Sequence, residues 1–138
     1  RLKNGGSERA EMSEDCLYLN VFSPRVRAKY PVMVYIHGGG FATGNGAIDF
    51  RGVIRNFVSR DVIVVTLQYR LGILGFFTTY SHEFPANLGL FDMLMALRWV
   101  RDEIGSFGGD AQRVTLFGES AGGTAVSALS LSPLARGL

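Results

Sequence analysis

The chain has 138 residues, of which 47% are hydrophobic and 19% charged, a balance that suits one packed domain and is too apolar for disorder. Its 14 basic and 12 acidic residues leave a net charge of +2 with no basic run to follow a phosphate backbone, which argues against nucleic-acid binding. No apolar stretch approaches the ~18 residues that span a bilayer, and Arg1-Leu2-Lys3-Asn4 has no signal-peptide core. Cys16 is the only cysteine, so the chain holds no internal disulfide and no metal site built from thiolates. Nothing in the sequence calls for a cofactor.

Residues 1–15 are polar and without period, and read as a loop. Leu17, Leu19 and Val21 then alternate with Tyr18, Asn20 and Phe22, which predicts a strand with unlike faces, ended by Ser23-Pro24. Val32-Met33-Val34-Tyr35-Ile36 is apolar at every position, as in a strand covered on both sides. It runs into His37-Gly38-Gly39-Gly40-Phe41, three glycines whose flanks belong to a core rather than to a flexible spacer. Without Cβ atoms such a loop lets backbone N–H groups converge on one oxygen.

Phe50, Val53, Ile54, Phe57 and Val58 form a stripe that predicts a helix of about a dozen residues. Val62 to Leu67 predicts the next buried strand, and residues 68–88 read as a long loop packed by its own aromatics. From Leu90 to Ile104 a second helix is expected, with Met93, Leu94, Leu97 and Val100 facing inward and Asp92, Arg98, Arg101 and Asp102 on the remaining surface. Trp99 reads as packing. Gly105 and Gly108-Gly109 end that helix, and Val114 to Phe117 form the last strand. Buried strands alternating with amphipathic helices imply an α/β fold, a mostly parallel sheet with helices on both faces.

The last strand enters Gly118-Glu119-Ser120-Ala121-Gly122, a Gly-x-Ser-x-Gly spacing that in a strand-to-helix context is a nucleophile elbow. The serine sits at the apex, and residues two positions to either side are nearly side-chain-free so that strand and helix pack closely. With 18 glycines in the chain, roughly 0.2 chance matches to the spacing are expected, so the weight comes from the flanking strand, the small-residue helix and the upstream glycine loop. Both glycine motifs fall at the carboxyl ends of strands, where ligands bind in such sheets.

Glu14-Asp15-Cys16-Leu17-Tyr18-Leu19-Asn20-Val21, His37-Gly38-Gly39-Gly40-Phe41 and Phe107-Gly108-Gly109-Asp110, leading into Gly118 to Gly123, resemble the type-B carboxylesterase and cholinesterase group of α/β-hydrolases over nearly the whole chain. The resemblance implies an ester hydrolase in which Ser120 is the nucleophile, Gly39, Gly40 and Ala121 supply the oxyanion-hole N–H groups, and Glu119 is a carboxylate of the pocket floor. A small-molecule ester is the implied substrate. It also implies that Cys16 pairs with a cysteine further toward the N-terminus, which would favour a secreted or endoplasmic-reticulum setting. Choline-binding members carry a Trp ten residues before that cysteine; Gly6 stands there, which disfavours a cholinesterase.

In this fold the acid and the histidine of the triad follow the serine, yet residues 121–138 contain no Asp, Glu or His, and His37 and His82 both precede Ser120. The chain therefore reads as the N-terminal part of a single α/β-hydrolase domain, truncated after the elbow helix and expected to be inactive by itself. The alternative function is a non-catalytic interaction or adhesion protein of the same fold that keeps Ser120 without its partners.

Overall fold

A computed structural model describes residues 13–25 and 28–138; the loop expected over 1–15 lies mostly outside that range, as does Gly6. Among the described residues, four strands form one sheet in the order β1-β3-β2-β4: β1 Leu19–Phe22, β2 Tyr30–Ile36, β3 Ile63–Leu67 and β4 Gly109–Gly118. β2 runs parallel to both β3 and β4, while β1 is antiparallel to β3. The two continuously apolar runs of the sequence, β2 and β3, are the two inner strands. The mixed-polarity runs, β1 and β4, are the edges. Inner strands of a covered sheet have no wet face and so lose the period-2 alternation.

The register places Val32, Val34 and Ile36 on one face with Ile63, Val65 and Leu67, and that face meets Met93, Leu94, Leu97 and Val100 of α3 (Leu88–Glu103), Ile104 just past its end, and Ala125 and Leu129 of α4 (Ala121–Leu131). Val32, Val34, Ile36, Ile63, Val65, Met93, Ile104 and Ala125 are fully buried there. At about 25 cal/mol per Å² of apolar surface, such layers carry most of the favourable free energy of a domain. Val64 and Thr66 on the opposite face are buried as well, Thr66 accepting a hydrogen bond from the Asn20 amide at 3.0 Å.

Four expectations are corrected. The stripe from Phe50 makes a helix, α1, only over Phe50–Asn56, followed by a separate 3-10 turn at Val58–Arg60; Phe57 leaves helical angles (φ −125°, ψ −58°), and Phe50 and Ile54 are exposed with Val53 alone buried. Asp49 caps its start by accepting from the N–H groups of Arg51 and Gly52. Residues 68–88 are not a pure loop, since Gly72–Phe76 forms a short helix, α2, whose Phe76 packs on Phe41 at a centroid distance of 4.9 Å. The last strand begins at Gly109, five residues before the apolar signal at Val114, because Gly109 pairs with Tyr30 ahead of a register irregularity after which Val114 pairs with Val32.

Asp92 is the fourth correction: it is buried, 8% exposed, rather than on the solvent side of α3. Its carboxylate accepts from the Arg70 backbone N–H (3.0 Å), Arg70 Nε (2.8 Å) and Arg70 NH2 (2.7 Å). Arg70 follows β3, and its carbonyl lies so close to Gly75 and Gly89 that a Cβ on either glycine would strike it. Gly89, one turn before Asp92 on α3, thus opens the gap that lets the backbone of residue 70 reach the carboxylate. By contrast, Arg101 and Asp102 pair side by side in solvent, an arrangement of little energetic consequence.

The buried pair yields a prediction about stability. Replacing Asp92 by Ala leaves an N–H and a guanidinium without their acceptor, and the part-exposed Arg70 head recovers some hydration, so the expected loss is about 2–4 kcal/mol. A lowered urea midpoint for Asp92→Ala checks it; an unchanged midpoint contradicts the anchoring role.

Candidate active site

The sharp connection from β4 into α4 is a four-residue turn, Glu119 to Gly122, closed by the Gly122 N–H donating to the Glu119 carbonyl at 2.8 Å. Ser120 occupies its second position with φ 52° and ψ −121°, the angles of the first central residue of a type II′ turn. For a residue with a Cβ this backbone costs on the order of 1–3 kcal/mol, and it persists only where the surroundings over-determine it. Those surroundings are visible at the two flanking glycines. A Cβ on Gly118 would lie 2.5 Å from Gly122 C and 2.8 Å from the Ile36 carbonyl oxygen, and one on Gly122 would collide with that same Ile36 oxygen. The end of β2 and the first turn of α4 are thus in backbone contact.

That contact also brings the glycine loop to the serine. A Cβ on Gly38 would be 3.2 Å from Ser120 Cβ and 2.5 Å from Glu119 Oε2, so Gly38 abuts the apex of the elbow. Gly39 and Gly40 follow with φ 108° and 62°, in the region where only glycine is unstrained. Phe41 continues the left-handed run at φ 59° and is packed against the core, with its carbonyl accepting the Gly72 N–H at 2.7 Å. Of the residues expected at the site, Ser120, Glu119, Gly39 and Gly40 are exposed and Ala121, the first residue of α4, is buried beneath them. Among the described residues, the N–H groups of Gly39, Gly40 and Ala121 have no protein acceptor. Ala121 adds the positive end of α4.

His37 is not poised to serve Ser120. It is 3% exposed, and its Nδ1 lies 2.8 Å from the Gly38 carbonyl oxygen; a carbonyl only accepts, so Nδ1 carries the proton. Nε2 is buried and without a partner among the described residues. The ring stacks on Tyr69 at 4.4 Å and 18°, and Tyr69 Oη donates to the His37 carbonyl at 2.8 Å. Burial, and secondarily Tyr35, raise the Tyr69 phenol above its ordinary value, so it stays a donor. His82 is exposed on the segment before α3. Sequence reasoning missed Tyr69 and Arg70 altogether: both lie just past β3, where periodicity ends, and the only available signal was an aromatic and a charge directly following a buried strand.

Other features lie apart from the elbow. Cys16 is a half-buried free thiol. Trp99 packs against Phe107 at 5.8 Å. A cleft along β4, lined by Leu97, Val100, Val114, Leu116 and Leu129 among others, includes no residue of the elbow or of the glycine loop.

The steric account separates two glycines. Gly122→Ala is expected to abolish soluble folded protein or the elbow with it, because backbone atoms on both sides must shift; Gly105→Ala, with nothing within 4 Å and no left-handed angle, is expected to be silent. Folded yield and circular dichroism of the two variants decide the matter, and a well-folded Gly122→Ala protein with unchanged stability would refute the contact argument.

Comparison with known proteins identifies the family. The Carboxylesterase family is matched over residues 1–138. The cocaine esterase of Oryctolagus cuniculus is 52% identical over 130 residues, covering 92% of this chain and 24% of the relative, and the liver carboxylesterase of Sus scrofa is 51% identical over 142 residues, covering 99% and 25%. Among solved structures, a PNB esterase superposes with a TM-score of 0.87 at 47% identity, covering 97% of this chain and 29% of that one. The chain thus spans about a quarter of the length of the curated relatives it matches. A family match over the whole sequence and relatives at about half identity place the chain in the carboxylesterase family.

Proposed function

We propose that the protein carrying this chain hydrolyses small-molecule carboxylic esters through an acyl-serine intermediate, with Ser120 as nucleophile. The observation that supports the reading best is the coincidence of a strained, exposed serine with N–H groups at Gly39, Gly40 and Ala121 that have no protein acceptor among the described residues. Attack of Ser120 Oγ on an ester carbonyl converts the carbonyl oxygen to an oxyanion, and donors pre-aimed at that position stabilise the charge without reorganising. Collapse of the tetrahedral species expels the alcohol and leaves the acyl group on Ser120, from which water releases the acid. Glu119, beside Gly38, would line the floor of the pocket. A general base is required to take the Ser120 proton, and in this reading neither His37 nor His82 supplies it: His37 spends its Nδ1–H on Gly38, and His82 is exposed on the segment that precedes α3.

The test is chemical. In the full-length protein, an organophosphonate ester should label Ser120 alone, and Ser120→Ala should remove ester turnover and labelling together while leaving folding intact. Peptide mass spectrometry that places the label on another serine, or turnover that survives Ser120→Ala, rejects the assignment.

A further inference from the structure

Three glycines side by side have no side chains with which to hold a loop in place, so the directions of their N–H groups must be set from outside. A trans peptide is planar and points its C=O and the following N–H in opposite directions, so whatever grips the carbonyl of one residue aims the N–H of the next. The Gly39 carbonyl is gripped three times, by the N–H groups of Ala42 (3.1 Å) and Thr43 (3.0 Å) and by Thr43 Oγ1 (3.2 Å), which aims Gly40 N–H. The Gly38 carbonyl, which aims Gly39 N–H, is gripped by His37 Nδ1 at 2.8 Å. Gly44 closes around the same group, since a Cβ there would lie 2.5 Å from the Gly38 oxygen and 2.6 Å from His37 Nδ1.

The imidazole is itself fixed. Tyr69, 2% exposed, stacks on it and donates its hydroxyl to the His37 carbonyl at 2.8 Å, which orients the next N–H, that of Gly38. Tyr69 in turn precedes Arg70, whose backbone N–H is held by the buried Asp92. The Tyr69–His37 bond is buried and the His37–Gly38 and Arg70–Asp92 bonds are partly so, which strengthens them relative to bonds in open water.

On the reading of Gly39 as an oxyanion donor, we infer that His37 is a positioning residue of the reaction: braced by Tyr69, it fixes the Gly38–Gly39 peptide plane and thereby aims the Gly39 N–H at the oxyanion. The role needs one donor at the place of Nδ1. Asparagine offers it, because its Nδ2 is bonded to Cγ as Nδ1 is in histidine; phenylalanine keeps the stack on Tyr69 and has no donor.

The experiment compares His37→Phe, His37→Asn, Tyr69→Phe and Ser120→Ala in the full-length protein, with kcat expressed per active site titrated by a phosphonate ester so that misfolded molecules are not counted. His37→Phe is expected to lower kcat about 10- to 100-fold, short of or at the lower edge of the ~10²–10³ lost when a donor is removed outright, with KM changed less than about threefold. The Ki of a trifluoromethyl ketone, whose adduct carries the oxyanion, should rise in step with the fall in kcat/KM. His37→Asn should recover kcat to within about fivefold of the parent. Should His37→Phe fail to fold, Tyr69→Phe carries the test, with a smaller loss that again appears in kcat and ketone Ki rather than in KM. The inference is overturned by a titrated kcat of the Phe variants within twofold of the parent, or by His37→Asn being as impaired as His37→Phe. Full turnover in Ser120→Ala would overturn the proposed function instead, so the two failures are distinguishable.

Discussion

The backbone contact between the end of β2 and the start of α4 is the constraint on which the rest of the site depends. Gly118 and Gly122 allow the Ile36 carbonyl to lie against the first turn of the helix, and no residue with a Cβ fits at either position. Because the helix cannot retreat, the chain between strand and helix must reverse within one four-residue turn, and that turn forces Ser120 into left-handed angles. The same contact carries the residues that follow Ile36 to the apex of the turn. Ser120 and the glycine loop are therefore placed by one packing event rather than by two.

A second layer of buried polar groups keeps that placement rigid. Asp92 on α3 holds Arg70, Tyr69 stacks beneath His37, and His37 grips Gly38. The chain of contacts runs from the middle of a core helix to a loop that has no side chains of its own. Glycine there is a geometric requirement with an entropic cost, since the loop is free to wander in the unfolded state. Buried hydrogen bonds and aromatic stacking offset the cost in the folded state.

Much of this was legible in the sequence, and the reason differs from residue to residue. Val32 to Ile36 and Ile63 to Leu67 announced themselves as inner strands by an unbroken apolar run; Ile63 to Leu67 is buried on both faces, while Val32 to Ile36 is buried on one and partly covered on the other. Ser120 was legible because the elbow demands glycine at two fixed spacings. Asp92 was not, since a carboxylate at the border of an amphipathic stripe looks solvated until its partner from another segment is known. Phe50 and Ile54 carried a helical stripe that the described residues do not bury, so periodicity alone overstated the length of α1. The role of Tyr69 depends on tertiary stacking against a residue 32 positions away, for which sequence pattern carries no signal.

The central claim is that one oxygen, formed on Ser120, is received by three backbone N–H groups. The most direct measurement is a crystal structure of the full-length protein with a trifluoromethyl ketone bound. The account predicts a covalent hemiketal on Ser120 Oγ whose oxygen lies about 2.7–3.1 Å from the nitrogens of Gly39, Gly40 and Ala121. An adduct whose oxygen points into solvent or toward other donors, or one formed on a different residue, would contradict it.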